Sequence, residues 1–422
     1  MSARMVALTV LSQVFSEQAY AGIALDRELK KSSLDVRDKA FASKMVYGVI
    51  QNLTFIDYQI EKASDIKLKK ILPVILNLLR LSVYQIFFLD KVPDSAAVNE
   101  AVTITKKLHL SKTAGFVNAV LRCIIREGKK LPDADDKIQY FSVLYSYPKW
   151  LVRLWLSELG EENLPKMLAA GNEEALTAIR VNRTKIGIDD FLKNVDGVNA
   201  QTEYGVVLKN CGDIKKIYGF NEGYFTVQDT SSQMVGHLLA PKRGESVLDV
   251  CSAPGGKTTH IAELMENEGE VVAWDLYEHK RRLVEDTAAR LGLSIIKPYV
   301  HDAKVFKEEL AETFDKVLVD APCSGLGIIR KKPDIKWKRK PSDIELLQKE
   351  QFEILTVSSK YVKIGGVLLY STCTVSDAEN TGVIEKFLKE NTNFVIDGNP
   401  KVLYPYLDNT DGFFICRMIK TG

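Results

Sequence analysis

The sequence predicts a multidomain chain: an all-α bundle first, a small α+β module next and a doubly wound α/β domain last. Three observations predict it. The first 130 of the 422 residues carry helical periodicity with almost no strand signal. Short strand-like runs appear between about residues 148 and 225. From about residue 226 a strand–turn–helix pattern repeats, and alternating βα units imply a mainly parallel sheet. The composition, 46% apolar and 27% charged, is ordinary for globular proteins and excludes extended disorder or a fibre.

In the first third, Leu8, Leu11 and Phe15 fall on one helical face. Ala19-Tyr20-Ala21 imitates a signal-peptidase site, but Ser12, Gln13, Ser16, Glu17 and Gln18 interrupt the apolar stretch before it, so a helix is expected there. Leu72, Ile75, Leu79, Val83 and Ile86 keep to one stripe. The run from Ile71 to Leu89 is long enough to span a bilayer, yet Arg80 near its centre would cost about 2.5–3.5 kcal/mol there, and Asn77 and Gln85 add to it. A buried core helix is the expectation, and no membrane is expected as a partner. Val98, Val102 and Ile104 begin another helix, and Phe116, Val117, Val120 and Leu121 continue the pattern. Gly128 to Pro132, followed by Asp133, Asp135 and Asp136, reads as a linker, which closes a first domain at 1–130.

Residues 131–225 form the second part. Pro148-Lys149-Trp150-Leu151 opens an amphipathic linker helix that includes Trp155 and Leu159. Strands are expected at Ala178–Val181, Gly205–Leu208 and Tyr224–Val227, around a helical 189–194. Residues 226–422 form the third part, with strands expected at 246–250, 270–274, 316–319 and 366–371 and helices at 258–265 and 280–291.

The near-balanced charge, +2 from 57 Lys and Arg against 55 Asp and Glu, hides a split. Residues 1–130 hold 20 Lys and Arg against 12 Asp and Glu, a net of +8 that leaves −6 for the rest. A basic first third points to a partner that carries phosphates. The six cysteines lie far apart with no C-x-x-C pair, and the five histidines lack ligand spacing. Neither a disulfide framework nor a metal site is expected, and a reducing cytoplasm is the natural setting. A monomer is the default expectation.

The least ordinary residues of the α/β domain stand where such sheets bind ligands, at the carboxyl ends of strands. After the first strand comes Asp249-Val250-Cys251-Ser252-Ala253-Pro254-Gly255-Gly256-Lys257. Its glycine turn lets a ligand approach the backbone at the start of a helix. Asp275 ends the second strand, 20 residues beyond Gly255, where a carboxylate can accept both ribose hydroxyls of an adenosine. Asp302 lies in a loop positioned to reach an adenine edge. A dinucleotide wants G-x-G-x-x-G, but Ala253 and Thr258 stand in two of the glycine places. A P-loop ATPase wants G-x-x-x-x-G-K-[ST]; Gly256-Lys257-Thr258 satisfies its end, but Cys251 occupies the first glycine's place and Asp275 would be idle. S-adenosylmethionine, an adenosine without phosphates, needs one glycine turn and the ribose carboxylate, and fits best.

Asp320-Ala321-Pro322-Cys323-Ser324-Gly325 and Ser371-Thr372-Cys373 both follow apolar strands. One such cysteine is commonly a small buried hydrophobe; two at the active edge of one sheet suggest a nucleophile. The chemistry that needs a methyl donor and a thiolate together is methylation of a pyrimidine at C5. That carbon is too weak a nucleophile until a thiolate adds to C6 and turns the ring into an enamine. Spacing alone leaves open which cysteine attacks. Asp320 is suited either to the cytosine N3/N4 edge or to the cofactor, and the base would have to be unstacked to reach the site. Between the cysteines, residues 330–340 hold seven basic residues in eleven with Trp337 among them. Arg330, Lys332, Lys336 and Trp337 are the expected RNA contacts, by phosphate anchoring with Trp337 packing or stacking.

CSAPGGKT (251–258), DAPCSG (320–325), KKPDIKW (331–337) and YSTCTV (370–375), with VQDTSSQ (227–233) and DGFFICRM (411–418), resemble the signature set of the RNA (cytosine-5)-methyltransferase family. The chain as a whole resembles the bacterial branch in which a Rossmann-like catalytic domain follows a NusB-like helical domain. The resemblance implies an S-adenosylmethionine-dependent enzyme acting on one cytosine of 16S ribosomal RNA, cytosine 967 in that branch. It implies Cys373 as the nucleophile and Cys323 as the group that assists product release. It also implies cofactor contacts along Cys251, Ser252, Ala253, Pro254, Gly255, Gly256 and Lys257 and from Asp275, Asp302 and Asp320, with the first two parts helping to bind RNA. Ser252 stands where alanine is common in the family, and Lys331 where a second arginine is common. The rival of another class is a non-catalytic RNA-binding or antitermination factor on a methyltransferase scaffold, which has no physical need for both cysteines and the glycine turn.

Overall fold

Apolar stripes at helical spacing must bury against one another, and in the computed structural model, which describes residues 2–209 and 211–422, they do so in the first of two compact units. That unit comprises residues up to Asn172 together with Lys332–Lys338. Helices Ala3–Ser16, Val36–Gln51, Leu53–Ala63, Pro73–Phe88, Asp94–Lys107 and Ala114–Glu127 enclose a core in which Leu11, Val46, Leu79 and Leu121 are fully buried. Of the stripe that predicted the central helix, Leu72 is exposed because it precedes the first helical turn. Arg80 in that helix is paired, both ends of its guanidinium bonding Asp57 at 2.7 Å, with Asn77 accepting a third bond at 3.0 Å. Among the described residues no helix is long and apolar enough to cross a membrane.

The helical unit continues past residue 130. Lys137–Leu144 and Lys149–Ala170 belong to it, the latter broken at Gly160, whose φ is +74°. Trp155 and Tyr147 pack together at 5.6 Å between ring centroids and are fully buried. The linker helix therefore belongs by packing with the bundle and not with the small module.

The second unit holds two sheets. Strands β1 (Thr177–Val181), β2 (Gly197–Asn199), β3 (Gly205–Leu208) and β4 (Phe225–Val227) form an antiparallel sheet in the order β2-β3-β1-β4, with Ile179, Phe191 and Phe225 at its core. The larger sheet contains β5 (Ser246–Asp249), β6 (Glu270–Asp275), β7 (Ile296–Val300), β8 (Phe314–Asp320), β9 (Val362–Thr372), β10 (Phe394–Ile396), β11 (Lys401–Leu403) and β12 (Phe413–Lys420). Its order is β10-β12-β9-β8-β5-β6-β7, with β11 also pairing β12. The five strands from β5 to β9 are parallel and β10 to β12 are antiparallel. The connections reverse direction at β5, which lies between β8 and β6, and the crevice at such a reversal is where open α/β sheets bind ligands. Arg180 of the small sheet, itself buried, bonds Glu263 twice at 2.8 Å and the Gly256 carbonyl at 2.8 Å, which ties the small sheet to the helix Gly256–Leu264 that follows β5.

Candidate functional site

Parallel pairing brings four strand ends to one edge: Asp249 of β5, Asp275 of β6, Asp320 of β8 and Thr372 of β9. Beyond β5 the Cys251–Lys257 turn is pinned to β6, since the Ser252 amide and hydroxyl both donate to the Trp274 carbonyl at 2.9 Å. Gly255 has φ +103°, a backbone conformation that residues with a Cβ rarely adopt, and a Cβ there would also come within 3.2 Å of the Val284 Cα in the helix Glu278–Leu291. A Cβ on Gly256 meets nothing closer than Gln228 Nε2 at 4.0 Å, which leaves that face of the turn open to a ligand.

Asp275 is buried and accepts from the Ala253 amide at 3.2 Å, with Lys280 Nζ 3.4 Å from its other oxygen. Two weak contacts leave lone pairs for a diol. Asp302, half-buried just past β7, accepts from the Lys304 amide at 3.0 Å. The Cys251 thiol is pushed well up by burial and by the charges of Asp249, Asp320 and Asp275, which suits a cofactor contact and not a nucleophile. Asp249 is pushed up to about 7 by burial, against the hydrogen bond it accepts from Thr258 at 2.7 Å.

Asp320 accepts from Lys257 Nζ at 2.7 Å and from Ser371 Oγ at 2.8 Å. Burial pulls the Lys257 ammonium down, but the Asp320 carboxylate outweighs it by charge and hydrogen bond, and the net shift is up. A thiolate at Cys373 would also raise the Lys257 ammonium.

Cys323 and Cys373 are both half-buried, and their sulfurs lie 3.2 Å apart. Adjacent strands set this spacing, because Asp320 and Ser371 are partners in the β8–β9 register and each cysteine follows by two or three residues. The Cys323 thiol is held well above its ordinary range: its hydrogen bond with Cys373 favours the protonated form, and burial and the charges of Cys373 and Glu379 add to it. The Cys323 and Ser324 carbonyls accept from Arg339 at 3.1 and 3.0 Å. Gly327 donates to the Cys373 carbonyl at 3.0 Å, and a Cβ on it would strike the Gly412 carbonyl at 2.0 Å.

The basic run is used differently from the expectation. Lys336 is fully buried inside the helical unit, donating to the carbonyls of Gln51 and Ser146 at 2.8 Å and to Asn172 Oδ1 at 3.1 Å. Trp337 packs against the helical core and donates to the Ile50 carbonyl at 2.7 Å. The Arg330 side chain is 3% exposed and bonds Asp411 at 3.0 Å. These three side chains are spent on internal acceptors and are corrected from RNA contacts to structural anchors; Lys332 alone of the four is exposed. Neighbouring Lys331 bridges Asp229 and Asp411 at 2.6 Å each, which gives the two flanking motifs a structural purpose. Sequence reasoning missed Arg339, Gln351, Glu379 and Asn380, whose hydrogen bonds hold the cysteine turns. Among the described residues no cluster could hold a metal ion.

Residues 236–419 match the model of the 16S rRNA methyltransferase RsmB/F family, residues 1–126 that of the NusB family, and residues 147–214 that of an RsmF/B-like ferredoxin-like domain. The chain is 39% identical to a probable ribosomal RNA small subunit methyltransferase B of Bacillus subtilis, covering 100% of this chain and 99% of that protein. It is 33% identical to a ribosomal RNA small subunit methyltransferase B of Escherichia fergusonii, over 91% of each. The solved structure of PH0851 is 26% identical with a TM-score of 0.84, covering 100% of this chain and 99% of that one.

Proposed function

The chain belongs to the ribosomal RNA small subunit methyltransferase B family, and from that premise we propose that it methylates C5 of one cytosine in 16S ribosomal RNA through a cysteine–C6 adduct. The observation that carries this reading is the pair of sulfurs 3.2 Å apart beside the Lys257–Asp320 pair. The open face at Gly256 and the underused Asp275 carboxylate fit S-adenosyl-L-methionine. When bound, that cofactor supplies an electrophilic methyl group on a sulfonium. Asp275 would hold the ribose hydroxyls, Asp302 the adenine edge, and the Cys251–Lys257 turn the remainder, with Asp320 at the boundary between cofactor and base.

Cys373 acts as the nucleophile. Its sulfur bonds to C6, the C5–C6 electron pair moves to C5, and C5 takes the methyl, whose bond to the sulfonium breaks with the electron pair left on that sulfur as a thioether. A base then removes the C5 proton, the sulfur–C6 bond breaks and the ring double bond returns. Cys323, whose thiol is held in its protonated form, lies 3.2 Å from the Cys373 sulfur and is placed to donate to it as it leaves C6. Lys257, its affinity for its proton raised, keeps a positive charge beside Asp320 while negative charge develops on the ring. A reducing cytoplasm keeps both sulfurs as thiols, and the reaction belongs there.

In Cys323→Ala, ribosomal RNA is expected to accumulate as a denaturation-resistant adduct; an adduct in Cys373→Ala instead would reverse the roles. Bisulfite sequencing of 16S ribosomal RNA from cells with and without this chain is expected to differ at one cytosine. No difference at any cytosine would end the proposal.

A further inference from the structure

Glu379 has no part in the chemistry above, yet it is fully buried between the two cysteine-bearing turns. One of its carboxylate oxygens accepts from the Ser324 amide at 2.8 Å and from Gln351 Nε2 at 3.0 Å. The other accepts from Ser324 Oγ at 2.5 Å and Thr374 Oγ1 at 3.4 Å. A carboxylate offers about four acceptor positions; the Ser324 amide, Gln351 Nε2 and Ser324 Oγ fill three, while Thr374 Oγ1 has a nearer partner in Ser324 Oγ at 2.9 Å. Ser324 directly follows Cys323, and Thr374 directly follows Cys373. Gln351 extends the grip, since its Nε2 also donates to the Pro322 carbonyl at 2.9 Å.

The contacts are asymmetric. The Cys323 turn is held between two charges, Glu379 on its amide and hydroxyl and Arg339 on its carbonyls. The Cys373 turn has supports of its own: Thr372 Oγ1 donates to Asn380 Oδ1 at 2.6 Å, Asn380 Nδ2 donates to the Thr374 carbonyl at 3.1 Å, and Thr372 pairs in register with Phe414. Removing the Glu379 carboxylate therefore takes the hold on the Ser324 amide and hydroxyl from the Cys323 turn, leaving it to Arg339, Gln351 and the Ser324–Thr374 hydroxyl bond at 2.9 Å, while the Cys373 turn keeps its own supports.

We propose that Glu379 is a positioning residue that holds the Cys323 turn against the Cys373 turn, so that release of the methylated product depends on it more than attack does. This rests on the reading that Cys373 attacks and Cys323 acts in release. The nearby negative charge also helps to keep the proton on Cys323, the form that donates to a departing sulfur.

The test compares full-length Glu379→Ala, Glu379→Gln and Cys323→Ala, each with 16S ribosomal RNA and labelled S-adenosylmethionine. In Glu379→Ala, turnover should fall on the order of a hundredfold, the effect of about 1 Å of misplacement. Covalent RNA adduct should accumulate as in Cys323→Ala, and cofactor affinity should be unchanged. Glu379→Gln keeps one acceptor oxygen and its amide can donate to Ser324 Oγ, so turnover and adduct should fall between Ala and wild type. Wild-type turnover in Glu379→Ala, or lost turnover without adduct, overturns the proposal, because a merely structural residue would impair attack and release alike. If the alanine variant does not fold, the glutamine variant decides: adduct with slowed release supports the proposal, and wild-type release overturns it. Absence of adduct in Cys323→Ala would instead count against the two-cysteine reading itself.

Discussion

Replacing Lys336 by methionine separates a structural anchor from an RNA contact. Three acceptors, the carbonyls of Gln51 and Ser146 and Oδ1 of Asn172, would lose their shared donor in a place without solvent. The ammonium also lies 4.2 Å from the centre of the Tyr147 ring, so a cation–π contact goes with it. Each buried acceptor left without a donor costs about 1–3 kcal/mol, so the three together cost about 3–5 kcal/mol after partial relaxation. For a cooperative unit of this size that lowers the melting temperature by about 6–20 °C. The assay is thermal unfolding of the full chain, paired with RNA-binding titrations across salt concentrations at a temperature where the variant is folded. The melting temperature should fall and the salt slope of RNA affinity should not change. A phosphate anchor would behave in the opposite way: it would leave stability intact and reduce the slope by about 0.7–0.9. That second pattern would refute the reasoning.

Asp275→Ala should weaken S-adenosylmethionine binding by about 10–100-fold, the loss of a charged hydrogen-bond acceptor, and leave RNA affinity intact in a filter-binding assay; equal loss of both would reject the ribose assignment. Asp249 is raised from its ordinary 3.8 to about 7, so between those values the native state holds a proton that the unfolded chain has lost. Stability of the cofactor-free protein should accordingly fall as pH rises through that window and level off above about 7. In Asp249→Asn this slope should flatten, as denaturant midpoints at pH values of about 5 and 7 would show; an unchanged slope would remove Asp249 as its source.

The catalytic sheet was readable where apolar runs end in a charged or glycine residue, as at Asp249, Asp275 and Asp320, because a parallel strand buried on both faces leaves that pattern. β7 escaped notice because Lys297 and Pro298 dilute its strand signal, and an edge position is what allows a proline there. β10 and β11 have three residues each, too few for a periodicity. In the basic run, composition counts charges but cannot show which of them turn inward; Arg330 and Lys336 meet acceptors 81 and up to 285 positions away. The strand-end carboxylates and the two cysteines were legible because local motif and strand position coincide. Glu379 and Arg339 were not, since Glu379 is a positioning candidate only through Ser324, 55 residues away, and Gln351, 28 away. Gly255 was read for the approach of a ligand; its φ of +103° and the neighbouring helix at Val284 are conformational reasons for the glycine that the motif did not reveal.

Because Lys332–Lys338 belongs to the same compact unit as the first 172 residues, that unit is discontinuous along the chain. During synthesis the nascent bundle must wait until Lys338 has left the ribosome before Trp337 and Lys336 can complete it. Until then the main-chain oxygens of Ile50, Gln51 and Ser146 must find other donors, water or a chaperone among them. A fragment cut at the end of the amino-terminal stretch would keep that immature state permanently, and proteases would report it as an early nick.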